Sequence, residues 1–147
     1  MTLRPYRSVL YIPGSRARAL EKARSMPVDS IIFDLEDAVA LEEKASARAT
    51  LVAHLSDAGY GVRSQIIRIN GLDTPWVAED ITAIAEARPE AALLPKVDNA
   101  QMISQLSAEM DRYDGFENTQ IWAMMETPRG ILNAAEIADA PRMGGMV

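Results

Sequence analysis

The sequence predicts an α/β fold with a parallel sheet, and within that class a (β/α)8 TIM barrel. Short apolar strands alternate with helices five times along 147 residues, with a period of roughly thirty residues, as parallel units require. This alternation fits an open doubly wound sheet as well as a barrel. Two features favour the barrel: no Gly-rich dinucleotide fingerprint follows the first strand, and polar residues follow nearly every strand at its carboxyl end.

The predicted strands are short β-branched or aromatic runs bounded by turn residues. Pro13 and Gly14 stop the first strand, and the second is nearly all apolar, which indicates a strand covered on both faces. The five strands are predicted at residues 8–12, 30–35, 65–70, 91–94 and 121–125. Residues 143–147 are interpreted as the approach to a sixth strand.

The helices between these strands are predicted from apolar spacing and from capping residues. Ser15 is expected to cap the first helix, which Pro27 ends. Thr74-Pro75 and Thr127-Pro128 are each a capping hydroxyl followed by proline at the first helical position. The later helices are predicted at residues 41–58, 74–87, 98–113 and 127–138. The second is expected to bury one face, formed by Leu41, Ala45, Arg48, Ala49, Val52 and Leu55.

Composition narrows the functional classes. Hydrophobic residues make up 48% and charged residues 24% of the chain, as in a soluble globular protein. The net charge of −6 disfavours nonspecific nucleic-acid binding, and the absence of cysteine excludes disulfides, thiolate metal sites and a cysteine nucleophile. No apolar run is long enough to span a membrane, and the N-terminus does not read as a signal peptide. We therefore expect a cytoplasmic protein without a nucleic-acid or membrane partner.

Length sets a limit on this interpretation. A barrel of this kind takes about 250 residues, whereas the sequence contains five units and the start of a sixth. We expect residues 1–147 to be the N-terminal portion of a single TIM-barrel domain, with the remainder cut away or not represented.

Polar side chains at the strand ends are expected to meet. Side chains alternate faces along a strand, so Glu36, Arg68 and Glu126 would converge on one mouth, with Asp37 at its rim. Carboxylates and one arginine around a pocket suit a hard metal ion such as magnesium and a carboxylate substrate. For Asp34 we expect a structural role at the strand end.

Five segments carry a resemblance to a known family. They are RSVLYIPG at 7–14, DLEDAV at 34–39, RIN at 68–70, LPKV at 94–97 and METPRG at 125–130. Together and in this order they resemble the citrate lyase beta subunit and malyl-CoA lyase family, the CitE-like group of the HpcH/HpaI aldolase superfamily. The matches cover essentially the whole chain.

The resemblance implies a magnesium-dependent lyase that cleaves or forms a carbon–carbon bond in a 3-hydroxyacyl thioester. Its substrate would carry a citryl, malyl or methylmalyl group on coenzyme A or on an acyl carrier protein. By this resemblance Glu126 is a magnesium ligand and Arg68 is a catalytic residue that binds substrate oxygens. Glu36 and Asp37 would position metal-bound water or the reacting group. We also expect a homo-oligomer.

Further residues are candidates for substrate binding. By the resemblance, the Pro13-Gly14 turn and Arg16 would lie near the phosphates of the thioester carrier, and Lys96 is either a pocket cation or a surface residue. The family's second metal carboxylate is an aspartate at the end of the next strand, and the sequence stops at Val147 before one. One carboxylate holds magnesium poorly, so we expect a weak or incomplete site in this chain alone.

Other functions stay open at this point. A malate-synthase-like or thioesterase activity on the same thioesters would need the same metal and arginine. A truncated paralogue or an assembly subunit would be non-catalytic, with Glu36 and Asp37 merely paired to Arg68 or Lys44. A flavodoxin-like binding module would need a phosphate-binding loop after the first strand, and the turn at residues 13–15 is too short for one.

Overall fold

The computed structural model describes residues 6–56 and 59–147, whose strands form one parallel sheet. The six strands are β1 (Val9–Pro13), β2 (Ser30–Asp34), β3 (Ser64–Arg68), β4 (Ala91–Leu94), β5 (Gln120–Ala123) and β6 (Met143–Met146). Each is parallel to its neighbours in the sheet. The five predicted strands are confirmed to within two residues at each end, and the predicted approach to a sixth strand is β6.

The order of the strands separates the two folds that the sequence allowed. A doubly wound sheet places its first strand in the interior, because the chain reverses direction after the first units. Here the strands lie in chain order from β1 to β6, with a helical segment after each of the first five. This is the arrangement in the wall of a (β/α) barrel, so the predicted fold class is confirmed.

The two faces of the sheet carry different cores. On one face, strand residues such as Phe33 and Ile67 pack with helix residues such as Leu51 and Leu106. The other face carries a small cluster made by the strands, consisting of Ile32, Ile66, Ala91, Leu93 and Trp122, with Met124 packed against it. Because side chains alternate along a strand, Asp34 and Arg68 continue this inner face to the carboxyl ends of β2 and β3.

Six α-helices lie between the strands in the described residues. They are α1 (Ala17–Ala23), α2 (Lys44–Ser56), α3 (Val77–Ala87), α4 (Ala100–Met110), α5 (Pro128–Leu132) and α6 (Ala134–Ala138), and a 3-10 turn at Leu41–Glu43 precedes α2. In this part of the chain, no helix has the length and apolarity that a membrane crossing requires.

Two predicted helix starts are confirmed by their caps. The Asn99 side chain accepts the N–H of Met102 at 3.1 Å, and the Thr127 hydroxyl accepts the N–H of Gly130 at 2.9 Å with proline next in the chain. The single helix predicted after Thr127 is wrong, because Asn133 separates α5 from α6 and donates its side-chain N–H to the Asp98 carbonyl at 2.8 Å.

Two other predicted starts are wrong. Arg16, rather than Ser15, precedes α1, and it makes no side-chain cap. The α3 helix begins at Val77, and the Thr74 hydroxyl donates to the Gly71 carbonyl at 2.7 Å in the preceding turn. In both places a tight turn comes before the helix, so the capping residue type alone misplaces the start.

The face predicted for the second helix is also wrong in part. Arg48 and Leu55 are buried as predicted, but Leu41, Ala45 and Ala49 are exposed. Lys44 takes a buried position instead. Its ammonium donates to three oxygen atoms, so a charged side chain is buried on a helix where apolar spacing predicts leucine and alanine. The predicted end of this helix at residue 58 lies outside the described residues.

Candidate functional site at the carboxyl ends of the strands

The ends of β2 and β3 hold a buried ion pair. Arg68 donates from Nε to Asp34 Oδ1 at 2.7 Å and from Nη2 to Asp34 Oδ2 at 2.5 Å. Asp34 is 1% exposed and also accepts the backbone N–H groups of Glu36 and Ala38. The structural role predicted for Asp34 is therefore confirmed: it closes the turn after β2 and fixes the direction of the guanidinium.

Glu36 lies beside this pair and meets two cations. Its Oε2 is 3.1 Å from Arg68 Nη1, and its Oε1 accepts a hydrogen bond of 2.6 Å from Lys96 Nζ. The side chain is buried, yet Oε2 accepts no hydrogen bond from the residues that the structure describes. A carboxylate oxygen has room for two donors, so Oε2 keeps capacity for a ligand or a bound water.

Lys96, which follows β4, contacts both Glu36 and Glu126, the glutamate that follows β5. Its backbone N–H donates to Glu126 Oε1 at 2.8 Å, and its Nζ lies 3.8 Å from Asp37 Oδ1. Asp37 and Glu126 are both exposed. We name Asp34, Glu36, Arg68, Lys96 and Glu126 the mouth cluster. The predicted convergence of Glu36, Arg68 and Glu126 with Asp37 at the rim is observed, while their chemical roles stay predictions.

The charges of the mouth cluster change one another's pKa. Burial by itself lowers the pKa of Arg68, but the hydrogen bonds and charges of Asp34 and Glu36 outweigh it and raise that pKa above its ordinary value. The hydrogen bond to Glu36 raises the pKa of Lys96. The Tyr11 ring lies 5.3 Å from the Arg68 guanidinium, and burial raises the pKa of its phenol. The mouth therefore keeps two cations at neutral pH.

Pro13 ends β1 beside Asp34, Gly14 follows it, and no described contact joins Arg16 to the mouth cluster. Gly14 donates its N–H to the Asp34 carbonyl at 2.8 Å, and a Cβ at Gly14 would lie only 3.0 Å from Leu35 Cδ2. A larger residue at position 14 would therefore crowd the Leu35 side chain and the Asp34 carbonyl oxygen. Arg16 is exposed. The role of these residues near a thioester stays a prediction.

A second polar cluster, which the sequence did not predict, lies behind the mouth. Lys44 Nζ donates to the carbonyls of Leu35 and Glu36 and to Asn70 Oδ1, each at 2.7 Å. The backbone N–H and side-chain amide of Asn70 donate to Asp80 Oδ2 at 2.8 and 2.6 Å, and Asp80 Oδ1 accepts from Arg48 at 3.0 Å. We name Lys44, Arg48, Asn70 and Asp80 the flank cluster.

The contacts of Lys44 correct one alternative that the sequence had left open. Lys44 binds the backbone carbonyl of Glu36, so the alternative ion pair between Lys44 and that carboxylate is absent from the described contacts, whereas the pair with Arg68 is present. Burial lowers the pKa of Lys44 and raises the pKa of Asp80. The signal that the sequence did contain is the spacing of Lys44 and Arg48, four residues apart on one helix face.

The described residues offer part of a magnesium site. Across residues 6–56 and 59–147, no three His, Cys, Asp or Glu side chains gather closely enough to hold a metal ion. Glu126 is an exposed carboxylate with one oxygen fixed by Lys96, and Glu36 Oε2 is a buried acceptor. Magnesium keeps several waters when it binds through few carboxylates. These residues therefore fit one direct ligand, Glu126, with magnesium keeping waters at its other positions.

The chain has relatives among characterised proteins. Residues 7–147 match the family model described as HpcH/HpaI aldolase/citrate lyase. Over 143 residues the chain is 53% identical to a (3S)-malyl-CoA thioesterase of Cereibacter sphaeroides (strain KD131 / KCTC 12085), which covers 97% of this chain and 48% of that protein. Over 142 residues it is 37% identical to citrate lyase subunit beta of Escherichia coli (strain K12), with 93% and 47% covered.

Solved structures agree with these matches. The protein CitE from Mycobacterium tuberculosis, in complex with magnesium, acetoacetate and coenzyme A, superposes with a TM-score of 0.77 at 32% identity, over 98% of this chain and 49% of that one. The chain spans about half the length of the curated relatives it matches. The family match over residues 7–147 shows that the chain belongs to the HpcH/HpaI aldolase/citrate lyase family, as its five motifs indicated.

Proposed function

We propose that this protein hydrolyses a malyl-type thioester of coenzyme A with the help of magnesium. The observation that carries the proposal is the 53% identity to a (3S)-malyl-CoA thioesterase, which extends over 97% of the chain. The mouth cluster suits such a substrate. Arg68 and Lys96 are cations at one opening, and cations of this kind bind carboxylate and carbonyl oxygens.

Arg68 would stabilise negative charge on the thioester oxygen. Its Nε and Nη2 are held by Asp34, so its remaining N–H groups have a fixed direction at the end of β3. A donor that is already in place stabilises a developing oxyanion without reorganising during the reaction. The same group would serve the tetrahedral oxyanion of hydrolysis or the enolate of carbon–carbon cleavage.

Carboxylates of the mouth would orient the metal and the attacking water. Magnesium, when bound, supplies a Lewis acid for oxygens of the acid half. Glu126 would be its ligand from this chain, and Glu36 Oε2 would accept a hydrogen bond from a bound water. Hydrolysis adds hydroxide to the carbonyl carbon and a proton to the departing sulfur, so the attacking water needs a nearby proton acceptor. Glu36 and Asp37 are the candidates for that acceptor.

The test measures the products that the full-length protein forms from (3S)-malyl-CoA and magnesium. We expect malate and free coenzyme A in equal amounts, with the thiol followed by a chromogenic reagent. Glyoxylate together with acetyl-CoA would establish the lyase in place of the hydrolase. No turnover in either direction would overturn the proposed substrate class and favour a non-catalytic protein.

A carbon–carbon lyase acting on the same type of thioester is the second candidate. It is supported by the five sequence motifs and by 39% identity to citrate lyase subunit beta of Leuconostoc mesenteroides subsp. cremoris over 139 residues. Coenzyme A is the carrier we favour over an acyl carrier protein, because it appears in the name of the more similar relative. A cytoplasmic location and a homo-oligomer stay predictions from the sequence.

A further inference from the structure

Lys96 has a backbone conformation that few side chains adopt. Its φ is 53°, in the left-handed region, two residues after β4 ends. Residues other than glycine stay in this region only where the surroundings hold them, and such places cluster at functional sites. Two contacts hold Lys96: its N–H donates to Glu126 Oε1 at 2.8 Å, and its Nζ donates to Glu36 Oε1 at 2.6 Å.

These two contacts connect the residues that follow β2 and β5, two strands that are not neighbours in the sheet. Glu36 follows β2 and Glu126 follows β5, and two strands lie between them. Lys96 reaches the first carboxylate with its side chain and the second with its backbone. Glu36 is buried and also faces Arg68, so it is a fixed anchor, whereas Glu126 is exposed. An exposed glutamate has several rotamers, and a backbone N–H on one oxygen selects among them.

We infer that Lys96 is a positioning residue: its ion pair with Glu36 anchors the left-handed turn, and its backbone N–H then orients Glu126 toward a divalent cation. The inference rests on the proposed function because it takes Glu126 as a magnesium ligand. It adds that the backbone of Lys96, and not only its charge, determines how well that ligand is presented.

Glycine and alanine at position 96 separate the backbone from the charge. Both variants, Lys96→Gly and Lys96→Ala, lose the ammonium and keep the N–H, but glycine adopts the left-handed conformation readily and alanine does not. In the full-length protein without substrate, we expect Lys96→Ala to bind magnesium about 5- to 30-fold more weakly than Lys96→Gly, by titration calorimetry. The alanine variant can relax out of this turn and must return to it on binding.

Arg88 provides the matched control. It also has a positive φ, 49°, but it caps the end of α3 before β4 begins, at the opposite end of the strand from the mouth. Arg88→Gly and Arg88→Ala should differ in stability in the same direction as the Lys96 pair and should bind magnesium equally. Circular dichroism and urea unfolding confirm that each variant is folded before titration.

The outcomes separate this inference from the proposed function. Equal magnesium affinities in Lys96→Gly and Lys96→Ala, with normal binding by the wild type, would overturn the inference alone. A wild-type protein that binds no magnesium would overturn the metal role of Glu126 and the inference with it. Hydrolysis of malyl-CoA is measured separately by the product assay.

Discussion

Two lysines bind Glu36 from different directions, and they differ in almost everything else. Lys96, in the mouth cluster, bonds the carboxylate, and its side chain is 57% exposed. Lys44, in the flank cluster, bonds the backbone carbonyl of the same residue and is 5% exposed. A cavity of about 340 Å³ touches both lysines and also Glu36, Asp37, Asn70 and Trp76. The two clusters are therefore neighbours with different surroundings.

The difference lies in the bonding capacity that each cluster keeps. In the flank cluster Lys44 has three oxygen partners, and both oxygens of Asp80 are bonded. In the mouth cluster the buried Glu36 Oε2 accepts no hydrogen bond from the described residues, and Glu126 is exposed, as is Asp37 at the rim. A buried charge network whose groups are all bonded indicates a structural role, whereas unbonded or exposed acceptors in a cluster leave room for a ligand. The flank cluster should therefore control stability and the mouth cluster should control activity.

The largest predicted effect comes from Asp80 in the flank cluster. Asp80→Ala should lower the free energy of unfolding by about 3–5 kcal/mol, because it removes the buried partner of Arg48 and leaves that buried charge only the exposed Glu79. It also removes the acceptor for two N–H groups of Asn70. Urea unfolding followed by circular dichroism measures this. The folded fraction should keep kcat within about threefold of the wild type, since no atom of Asp80 lies in the mouth cluster.

Glu79 is the matched control for Asp80, because it is adjacent in the chain and pairs with the same Arg48. The Glu79 side chain is 68% exposed, so Glu79→Ala should cost less than about 1 kcal/mol. Equal costs for the two alanine variants would show that burial does not set the strength of this network. The inference that the flank cluster controls stability through its buried ion pair would then be wrong.

Arg68 tests the mouth cluster through activity. Arg68→Lys keeps the positive charge but loses the planar fork that binds both oxygens of Asp34. We expect kcat on malyl-CoA to fall by about 10²–10³-fold, as on removal of one fixed oxyanion donor. Steady-state kinetics on the full-length protein measures this. A variant with wild-type kcat and lower stability would move Arg68 into the same structural class as Arg48.

The mouth was predictable from the sequence and the flank was not, for a physical reason. Alternation counted along the predicted strands and past their ends assigned Glu36, Arg68 and Glu126 to one face without knowledge of any contact. Lys44 is buried because three oxygens accept its N–H groups, and these oxygens belong to residues 8 to 26 positions away in the chain. Two are carbonyls in the turn after β2, and the third is the Asn70 side chain just after β3. Apolar spacing takes account of hydrophobic side chains alone. It therefore predicted a buried helix face that includes Leu41, Ala45 and Ala49, which are exposed.

The Lys96 turn was unpredictable for a different reason. Left-handed backbone is signalled in a sequence by glycine or asparagine, and lysine gives no such signal. The N–H that reaches Glu126 depends on this conformation. Residue type identified the members of the site, whereas the contacts between them come from backbone geometry at the strand ends.

Methionine substitutions compare the two lysines directly. Lys44→Met should cost about 1–3 kcal/mol of unfolding free energy, because three buried acceptors lose their donor. Lys96→Met should cost less than about 1 kcal/mol, because its ion pair is partly exposed. Equilibrium urea unfolding of both variants against wild type measures the difference. A larger loss in Lys96→Met would mean that the mouth is held together more tightly than its exposure indicates.

The smallest predicted effect is a pH dependence of opposite sign for the two lysines. Burial lowers the pKa of Lys44 below 10.5, so between its folded pKa and 10.5 the unfolded chain binds more protons, and stability rises with pH. The hydrogen bond to Glu36 raises the pKa of Lys96 above 10.5, so its contribution is complete below pH 10.5 and is lost as pH rises through the raised pKa.

The same two methionine variants report this dependence. From about pH 8 to about pH 11, the stability difference between wild type and Lys44→Met should grow, whereas the difference for Lys96→Met should stay level and then shrink. Salt should weaken the Lys96 effect more, because an exposed pair is screened and a buried one much less. If the stability difference changed with pH in the same way for both variants, the two ammonium groups would have similar surroundings. That result would contradict the buried position of Lys44 and the exposed position of Lys96.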